Sequence, residues 1–224
     1  MEITFDTVAI LFARLGAQRS NHESEYTMRY NGIEIAEQKA TAMVSPAIQL
    51  MTAEDYFARP ESMLPEQLLD GELIVSPAPA SEHQYAAGSI YTILTSLIPN
   101  GRVYFSPVDV IWDNRNITQP DVFWVSARGR CVNMNGRFYG PPEIVVEILS
   151  PRTARYDRTR KFDLYQKYSV TEYWIVDLDV RTIEVWTLQN GVYERVGHFL
   201  SGAAFESPVL GQRVETAPIF PPVE

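Results

Sequence analysis

The segment that decides the fold is EIVVEIL, residues 143–149. A short run dominated by Ile, Val and Leu predicts a buried β-strand over residues 144–149. Glu147 interrupts this run, and a carboxylate is costly to bury unless a charged or hydrogen-bonding partner or a metal ion binds it. Glu147 is therefore the first candidate for a functional residue.

A second apolar run, PDVFWV at residues 120–125, predicts the neighbouring strand and places the acid Asp121 at its head. Side-chain alternation puts Val145, Glu147 and Leu149 on one face of their strand. Antiparallel pairing of the two strands would bring Asp121 alongside Glu147. The open alternative is that Asp121 starts a turn and Glu147 pairs with an arginine.

Residues 150–168, which follow the second acid, have helical spacing. Asp157, Lys161 and Tyr165 stand at i, i+4 and i+8, so they share one face of the predicted helix. If that face covers the strand ends, Lys161 meets both carboxylates. The alternative is a simple intrahelical Asp157–Lys161 pair, worth a few tenths of a kcal/mol, with Tyr165 in the core.

Two carboxylates beside a lysine suit a hard cation and a phosphodiester. Mg²⁺ prefers carboxylate oxygens and often takes only one or two of them from the protein, so Asp121 and Glu147 are candidate ligands for Mg²⁺ or Mn²⁺. The metal would activate a bound water, and Lys161 would stabilise the charge that develops. Glu72, on a short strand over residues 71–75, is a further candidate to bind metal or orient Lys161; its alternative is an edge-strand glutamate that faces water.

The order of predicted elements indicates an α+β, or mixed α/β, fold rather than a regular alternation. A helix from Ser81 to about residue 98 precedes three or four strands. The helix that carries Lys161 follows, then a strand over residues 172–177 and a hairpin closed by Asn190-Gly191. Residues 126–142 are expected to form a long basic loop.

Three segments differ in composition. Residues 1–42 are polar with weak periodicity. We expect them to be either a disordered extension or a spurious one, read from a start codon upstream of the natural start. Residues 43–205 hold the predicted domain. Residues 206–224 are proline-containing and are expected to form an irregular tail.

The composition is ordinary for one globular domain with tails, at 46% hydrophobic and 21% charged residues. No apolar run approaches the roughly 20 residues that a membrane span needs, and the N-terminus lacks the basic start of a signal peptide. Cys131 is the only cysteine of the 224 residues, which excludes an intramolecular disulfide and favours a reducing cytoplasm. The net charge of −9 argues against a broad nucleic-acid surface, although residues 152–167 carry six basic residues against two acidic ones.

Together these segments resemble the Uma-two family of restriction-endonuclease-like proteins, which is common in cyanobacteria. The resemblance covers about residues 48–200. The segments that carry it are GELIVSPAP at 71–79, HQ at 83–84, QPDV at 119–122, PEIVVEILSP at 142–151 and EYWIVD at 172–177.

The resemblance implies the restriction-endonuclease-like fold of the PD-(D/E)xK nucleases, with a central mixed β-sheet flanked by helices. It implies Asp121 and Glu147 as ligands of Mg²⁺, and Lys161 and Glu72 as further catalytic residues. Leu149 stands where the (D/E)xK motif has its lysine, and Lys161 on the following helix matches a relocated one.

Three functions stay open on these grounds. The first is a Mg²⁺-dependent endonuclease that cuts nucleic acid, with DNA as the expected substrate; a homodimer would suit the cutting of both strands. The second is a catalytically inactive nuclease fold that serves as a nucleic-acid or protein interaction module, which Leu149 and the acidic charge favour. The third is a structural domain whose acids form internal ion pairs.

Overall fold

A computed structural model gives the structure of residues 27–30, 33–36, 50–60, 62–97 and 100–222. The chain divides into two compact units, residues 1–47 and residues 48–224. In the first unit, β1 (Thr27–Tyr30) and β2 (Ile33–Ala36) pair as an antiparallel hairpin. The expectation of a disordered or spurious extension over residues 1–42 otherwise lies outside the described residues.

The second unit combines helices and strands in the α+β manner predicted. Its helices are α1 (Ala53–Ala58), α2 (Ser81–Leu97), α3 (Ala154–Arg158), α4 (Arg160–Lys167) and a 3-10 turn at Ala217–Ile219. Its strands are β3 (Glu66–Leu69), β4 (Glu72–Val75), β5 (Gly101–Phe105), β6 (Val110–Asp113), β7 (Asn116–Thr118), β8 (Val122–Ser126), β9 (Val132–Met134), β10 (Arg137–Tyr139), β11 (Ile144–Ile148), β12 (Glu172–Asp177), β13 (Thr182–Gln189), β14 (Val192–Leu200), β15 (Ala204–Ser207) and β16 (Gln212–Glu215). Within the described ranges, no helix is long and apolar enough to cross a membrane.

The main sheet has the strand order β14-β13-β12-β11-β8-β5. β11 and β12 run parallel, whereas the other neighbouring strands run antiparallel. The predicted antiparallel pairing of β8 with β11 is confirmed, with Val122 opposite Val146. Every residue of β11 is buried, because α2 and the C-terminal segment cover one face of the sheet and α4 packs on the other.

A second sheet, in the order β4-β3-β7-β6-β10-β9, packs on the face that α4 also covers. Two of its strands lie in residues 126–142, which were expected to form a loop. β9 and β10 form a hairpin there, and its turn residues Asn135 and Gly136 have φ values of 54° and 84°. Asn-Gly with positive φ at both positions is the preferred two-residue hairpin turn, but strands of three residues are too short to show alternation in the sequence.

The helix predicted over residues 150–168 is two helices, because it breaks at Thr159. Thr159 has φ −127° and ψ −87°, outside the helical region. Its hydroxyl donates a hydrogen bond of 2.6 Å to the carbonyl of Arg155, a local bond of the kind that competes with helical geometry. α3 and α4 are therefore separate elements, although the connection between them is a single residue.

The tail over residues 206–224, which was expected to be irregular, instead contains a paired strand and a 3-10 turn. β15 and β16 pair antiparallel over residues 204–215. Phe205, Val214, Ile219 and Phe220 are buried against α2 and the main sheet. Burial of these four apolar side chains stabilises a segment whose prolines alone suggested an irregular tail.

Candidate active site

Three charged side chains from three elements meet between the main sheet and the α3–α4 pair. Glu147 lies in β11, Asp157 in α3 and Lys161 in α4. Lys161 Nζ lies 2.9 Å from Glu147 Oε2 and 2.9 Å from Asp157 Oδ1. All three residues are at most 3% exposed, so their charges are paired with one another and not with water.

The local sequence explains why these side chains converge. Strand alternation puts Glu147 on the same face of β11 as Val145, and α4 packs on that face. Asp157 and Lys161 keep their i, i+4 contact across the break at Thr159, so the pair that the sequence offered as an alternative forms, but it joins two helices and Lys161 also meets Glu147.

Tyr165 fixes the other oxygen of Glu147. Its hydroxyl donates a 2.6 Å hydrogen bond to Glu147 Oε1 and lies 3.3 Å from Thr118 Oγ1. Thr118 in turn accepts a 3.0 Å hydrogen bond from Trp112 Nε1. All of these side chains are buried, so the orientation of Glu147 is set by a hydrogen-bonded chain that reaches into the second sheet.

Asp121 stands one step beyond Val122 in the β8–β11 register, opposite Glu147. Its Oδ2 accepts a 2.7 Å hydrogen bond from the backbone N–H of Ile148 and lies 3.3 Å from His83 Nε2. The side chain of Asp121 is 17% exposed. Asp121 is therefore the acid of this group that solvent, and hence a ligand, can reach.

His83 is a site residue that lies outside the predicted catalytic set. It lies in the first turn of α2, a position more typical of polar surface, and only the fold places it against Asp121. Burial acts to lower the pKa of His83, but the hydrogen bond and negative charge of Asp121 outweigh it and raise that pKa. His83 thus adds positive character beside Asp121.

The cluster holds more acidic than basic side chains, and burial shifts their pKa values. Burial raises the pKa of Glu147 and of Asp157, with Lys161 opposing it and the neighbouring acids adding to it. Burial acts to lower the pKa of Lys161, but the charges of Asp157, Glu147 and Asp121 outweigh it and raise that pKa. Lys161 therefore stays an ammonium group among three carboxyl groups, and the pKa of Glu147, raised to about 8, favours the protonated form of that group near neutral pH.

A cavity of about 650 Å³ opens onto this cluster. Asp121, Glu147, Lys161 and His83 all contribute to its lining. Its volume lies in the usual range of small-ligand and cofactor sites, and convergent polar groups at the bottom of such a cavity are typical of them.

The side chains present fit a divalent cation that keeps most of its water. Among the described residues, no three His, Cys, Asp or Glu side chains are placed to hold a metal ion together. Mg²⁺ needs only one or two protein carboxylates and completes its shell with water. Asp121 and Glu147 supply hard oxygen atoms at opposed register positions, and a cation there would replace the proton that the raised pKa of Glu147 retains.

The structure does not bring Glu72 to this cluster. Glu72 begins β4, is 43% exposed in its side chain and accepts a 2.7 Å hydrogen bond from Arg160 Nη1. Arg160 also lies 3.3 Å from Asp70 Oδ2. Glu72 therefore ties the β3–β4 hairpin to the first residue of α4, next to Lys161 in sequence but apart from Asp121 and Glu147.

Comparisons with known proteins agree with this fold. A family model described as "Uma2: Putative restriction endonuclease" matches residues 53–217. Among solved structures, a crystal structure of "a putative nuclease belonging to DUF820" from Anabaena variabilis matches with a TM-score of 0.64 and 19% sequence identity, covering 76% of this chain and 97% of that chain. At that identity the match shows a shared fold, and the expected restriction-endonuclease-like architecture is confirmed. No curated protein matches this chain.

Proposed function

The chain belongs to the Uma2 family of restriction-endonuclease-like proteins, and from this premise we propose that it is a Mg²⁺-dependent endonuclease that hydrolyses DNA phosphodiester bonds. The observation that carries the proposal is the buried ammonium group of Lys161, held 2.9 Å from both Glu147 and Asp157 and lining a cavity that Asp121 also lines. A purely structural ion pair would not need an open cavity or the third acid.

Asp121 and Glu147 would hold the cation, either Mg²⁺ or Mn²⁺. When bound, such a cation lowers the pKa of a bound water and offsets charge on a phosphoryl oxygen. Lys161 has three N–H donors, its Nζ lies 2.9 Å from both Glu147 Oε2 and Asp157 Oδ1, and it lines the cavity. A donor turned towards the cavity would bind a phosphoryl oxygen and stabilise the charge that develops during attack.

The surrounding hydrogen bonds hold these groups in place before substrate arrives. Tyr165 orients Glu147, and the Ile148 N–H together with His83 orients Asp121. Groups that are fixed by packing and hydrogen bonds lose little freedom in the reaction, which is the condition for effective electrostatic stabilisation.

The test compares melting temperatures with and without Mg²⁺ or Mn²⁺ in four proteins. We expect the cation to raise the melting temperature of the wild type, because a ligand that binds only the folded state stabilises it. Glu147→Gln and Asp121→Asn should lose this rise, whereas Glu72→Gln, the matched control acid, should keep it. Because burial raises the pKa of Glu147, protons compete with the cation, and the rise in the wild type should grow with pH.

Cleavage of DNA by the same four proteins completes the test. Wild type and Glu72→Gln should cleave only with the cation, and the other two variants should lose activity by at least about 100-fold. Full activity in Glu147→Gln or Asp121→Asn contradicts the proposed roles. A loss of cleavage activity in Glu72→Gln as large as the loss in those two variants would mean that Glu72 takes part in the reaction.

A second candidate function follows from Leu149 and from the way Glu147 is bound. Leu149, which is half-buried against the core and lines the cavity, stands where the (D/E)xK motif has its lysine, and Lys161 and Tyr165 already engage both oxygens of Glu147. These contacts favour a catalytically inactive module that binds nucleic acid or protein. That function predicts no cation-dependent cleavage by the pure protein, and nucleic-acid binding that weakens steeply with salt.

A further inference from the structure

A groove adjoins the cavity of about 650 Å³ that opens onto Asp121, Glu147 and Lys161, which we name the catalytic cavity. It has a volume of about 550 Å³ and lies between α2 and β5. Its lining includes Tyr91, Arg102 and Phe105. Phe105 also lines the catalytic cavity, so the two depressions meet at this side chain.

One face of α2 forms a wall common to both depressions. His83 and Ala87 line the catalytic cavity, whereas Tyr91 and Thr95 line the groove. These four residues stand at i, i+4, i+8 and i+12, so they follow one another along one helix face. At 1.5 Å per residue the wall is roughly 18 Å long, about the length of five stacked nucleotides at 3.4 Å each.

Phe105 is exposed at the junction. The residue is 54% exposed, and its ring centroid lies 5.2 Å from that of Tyr91 at an interplanar angle of 78°. β5 is the last strand of the main sheet, so among the described residues no further strand covers this side. An aromatic ring that is held in place yet exposed beside a cavity can stack on an unpaired base.

The charges around the two depressions do not suit a double helix. Duplex DNA carries one negative charge per about 1.7 Å of its axis, and proteins meet it with several Lys or Arg residues. Around the catalytic cavity, Glu82 and Asp179 stand against a single surface cation, Arg152, and the groove adds only Arg102.

Burial adds a second restriction. Glu147 and Lys161 are at most 3% exposed, and the cavity that they line has a volume that suits a small ligand. A strand with unpaired bases can enter such a cavity one phosphate at a time, and it has a lower charge density to neutralise than a duplex.

We infer that the substrate is a single strand or an unpaired strand end, which runs along the α2 face with one base stacked on Phe105 and the scissile phosphate in the catalytic cavity. The inference rests on the proposed nuclease function, because it names the form of nucleic acid that the same site takes. Phe105 touches a base and not the reacting atoms, so it is a binding residue that determines specificity for unpaired strands.

The test measures binding of the metal-free full-length chain to one labelled DNA sequence, as a single strand and as a blunt duplex, by fluorescence anisotropy. We expect the wild type to bind the single strand at least about tenfold more tightly than the duplex. Phe105→Ala should weaken single-strand binding about tenfold, and Phe105→Trp should restore it, since stacking needs an aromatic face. Tyr85→Ala is the matched control, because Tyr85 is an aromatic residue of α2 that is 46% exposed and lines neither the cavity nor the groove.

The outcomes separate this inference from the proposed function. Equal binding of single strand and duplex, binding of neither, or unchanged binding by a folded Phe105→Ala protein overturns the inference. Cation-dependent cleavage with no effect of Phe105→Ala supports the nuclease function and contradicts binding of a single strand along the α2 face. Phe105-dependent binding without any cleavage supports binding of the strand along the α2 face and contradicts the nuclease reaction.

Discussion

Lys161 is one cation between two buried acids, so its removal should cost more stability than the removal of either acid. Lys161→Met keeps the apolar stem and leaves Glu147 and Asp157 buried without their partner. We expect the free energy of unfolding to fall by about 3–5 kcal/mol, as measured by urea denaturation near neutral pH.

The control for this prediction is Glu147→Gln, which leaves the Asp157–Lys161 pair in place and should lower the free energy of unfolding by less.

The loss of stability in Lys161→Met should also depend on pH. A carboxyl group whose pKa is raised by folding contributes stability below its unfolded pKa and loses it as pH rises through the folded pKa. Burial already raises the pKa of Glu147 and Asp157, and loss of Lys161 raises it further, so the deficit should grow with pH. Equal losses in both variants, or a deficit independent of pH, would contradict the one-cation, two-acid arrangement.

The sequence revealed the charged residues of the site but not their supports. Glu147 stands out because it interrupts an apolar run, and Lys161 because it follows Asp157 by one helical turn. Thr118 has no such signal and His83 has only the resemblance at residues 83–84, since their partners lie in other elements and only the tertiary fold brings them together. Glu72 has the same signature as Glu147, an acid on a short apolar strand, and the pattern cannot tell that its partner is Arg160.

At the scale of elements, Glu172 joins the C-terminal hairpin to the main sheet. Glu172 begins β12, and its Oε1 accepts a 2.6 Å hydrogen bond from Trp174 Nε1. Its Oε2 accepts hydrogen bonds from Ser207 Oγ at 2.8 Å and from the Val209 N–H at 2.9 Å. One buried side chain thus links the sheet to the segment between β15 and β16.

Glu172→Ala should therefore loosen the β15–β16 hairpin. It leaves the Val209 N–H and the Ser207 hydroxyl without their acceptor, at a cost of about 1–3 kcal/mol for each buried group left unpaired. We expect faster amide hydrogen exchange across residues 204–215 and a lower free energy of unfolding. Glu206→Ala, an exposed acid on β15, is the control and should change stability by less than about 0.5 kcal/mol. Unchanged exchange in Glu172→Ala would mean that apolar packing alone holds the hairpin.

The same hairpin shows what local patterns miss. The prolines of the tail suggested irregular chain, but Phe205 and Val214 are buried against α2 and the main sheet, partners far away in sequence. The opposite error occurs at Thr159, where a continuous helical period hides a break at a residue whose hydroxyl donates a hydrogen bond to the Arg155 carbonyl. The Asn190-Gly191 hairpin was predictable because its turn residues carry positive φ by themselves, at 52° and 85°.

At the scale of the whole molecule, the topology builds the site. β11 has a parallel neighbour, β12, on one side and an antiparallel neighbour, β8, on the other. The parallel connection has to cross over the sheet, and α3 and α4 lie on that crossover, which brings Lys161 over Glu147. The antiparallel neighbour begins where β11 ends, which brings Asp121 to the same edge. Ligand sites in mixed sheets commonly form where the strand connections change direction in this way.

The boundary of the folded unit gives a final prediction. In the first unit, β1 and β2 pair with each other, and the family match begins at residue 53. A chain shortened to residues 48–224 should therefore keep the melting temperature and cation response of the full chain. A chain shortened to residues 53–224 is the matched control, because it loses the 2.7 Å hydrogen bond from the Met51 N–H to the Gly71 carbonyl and the packing of Met51. It should melt at a lower temperature. If both shortened chains melt equally low, residues 1–47 contribute to the stability of the domain, and the prediction that residues 48–224 suffice is wrong.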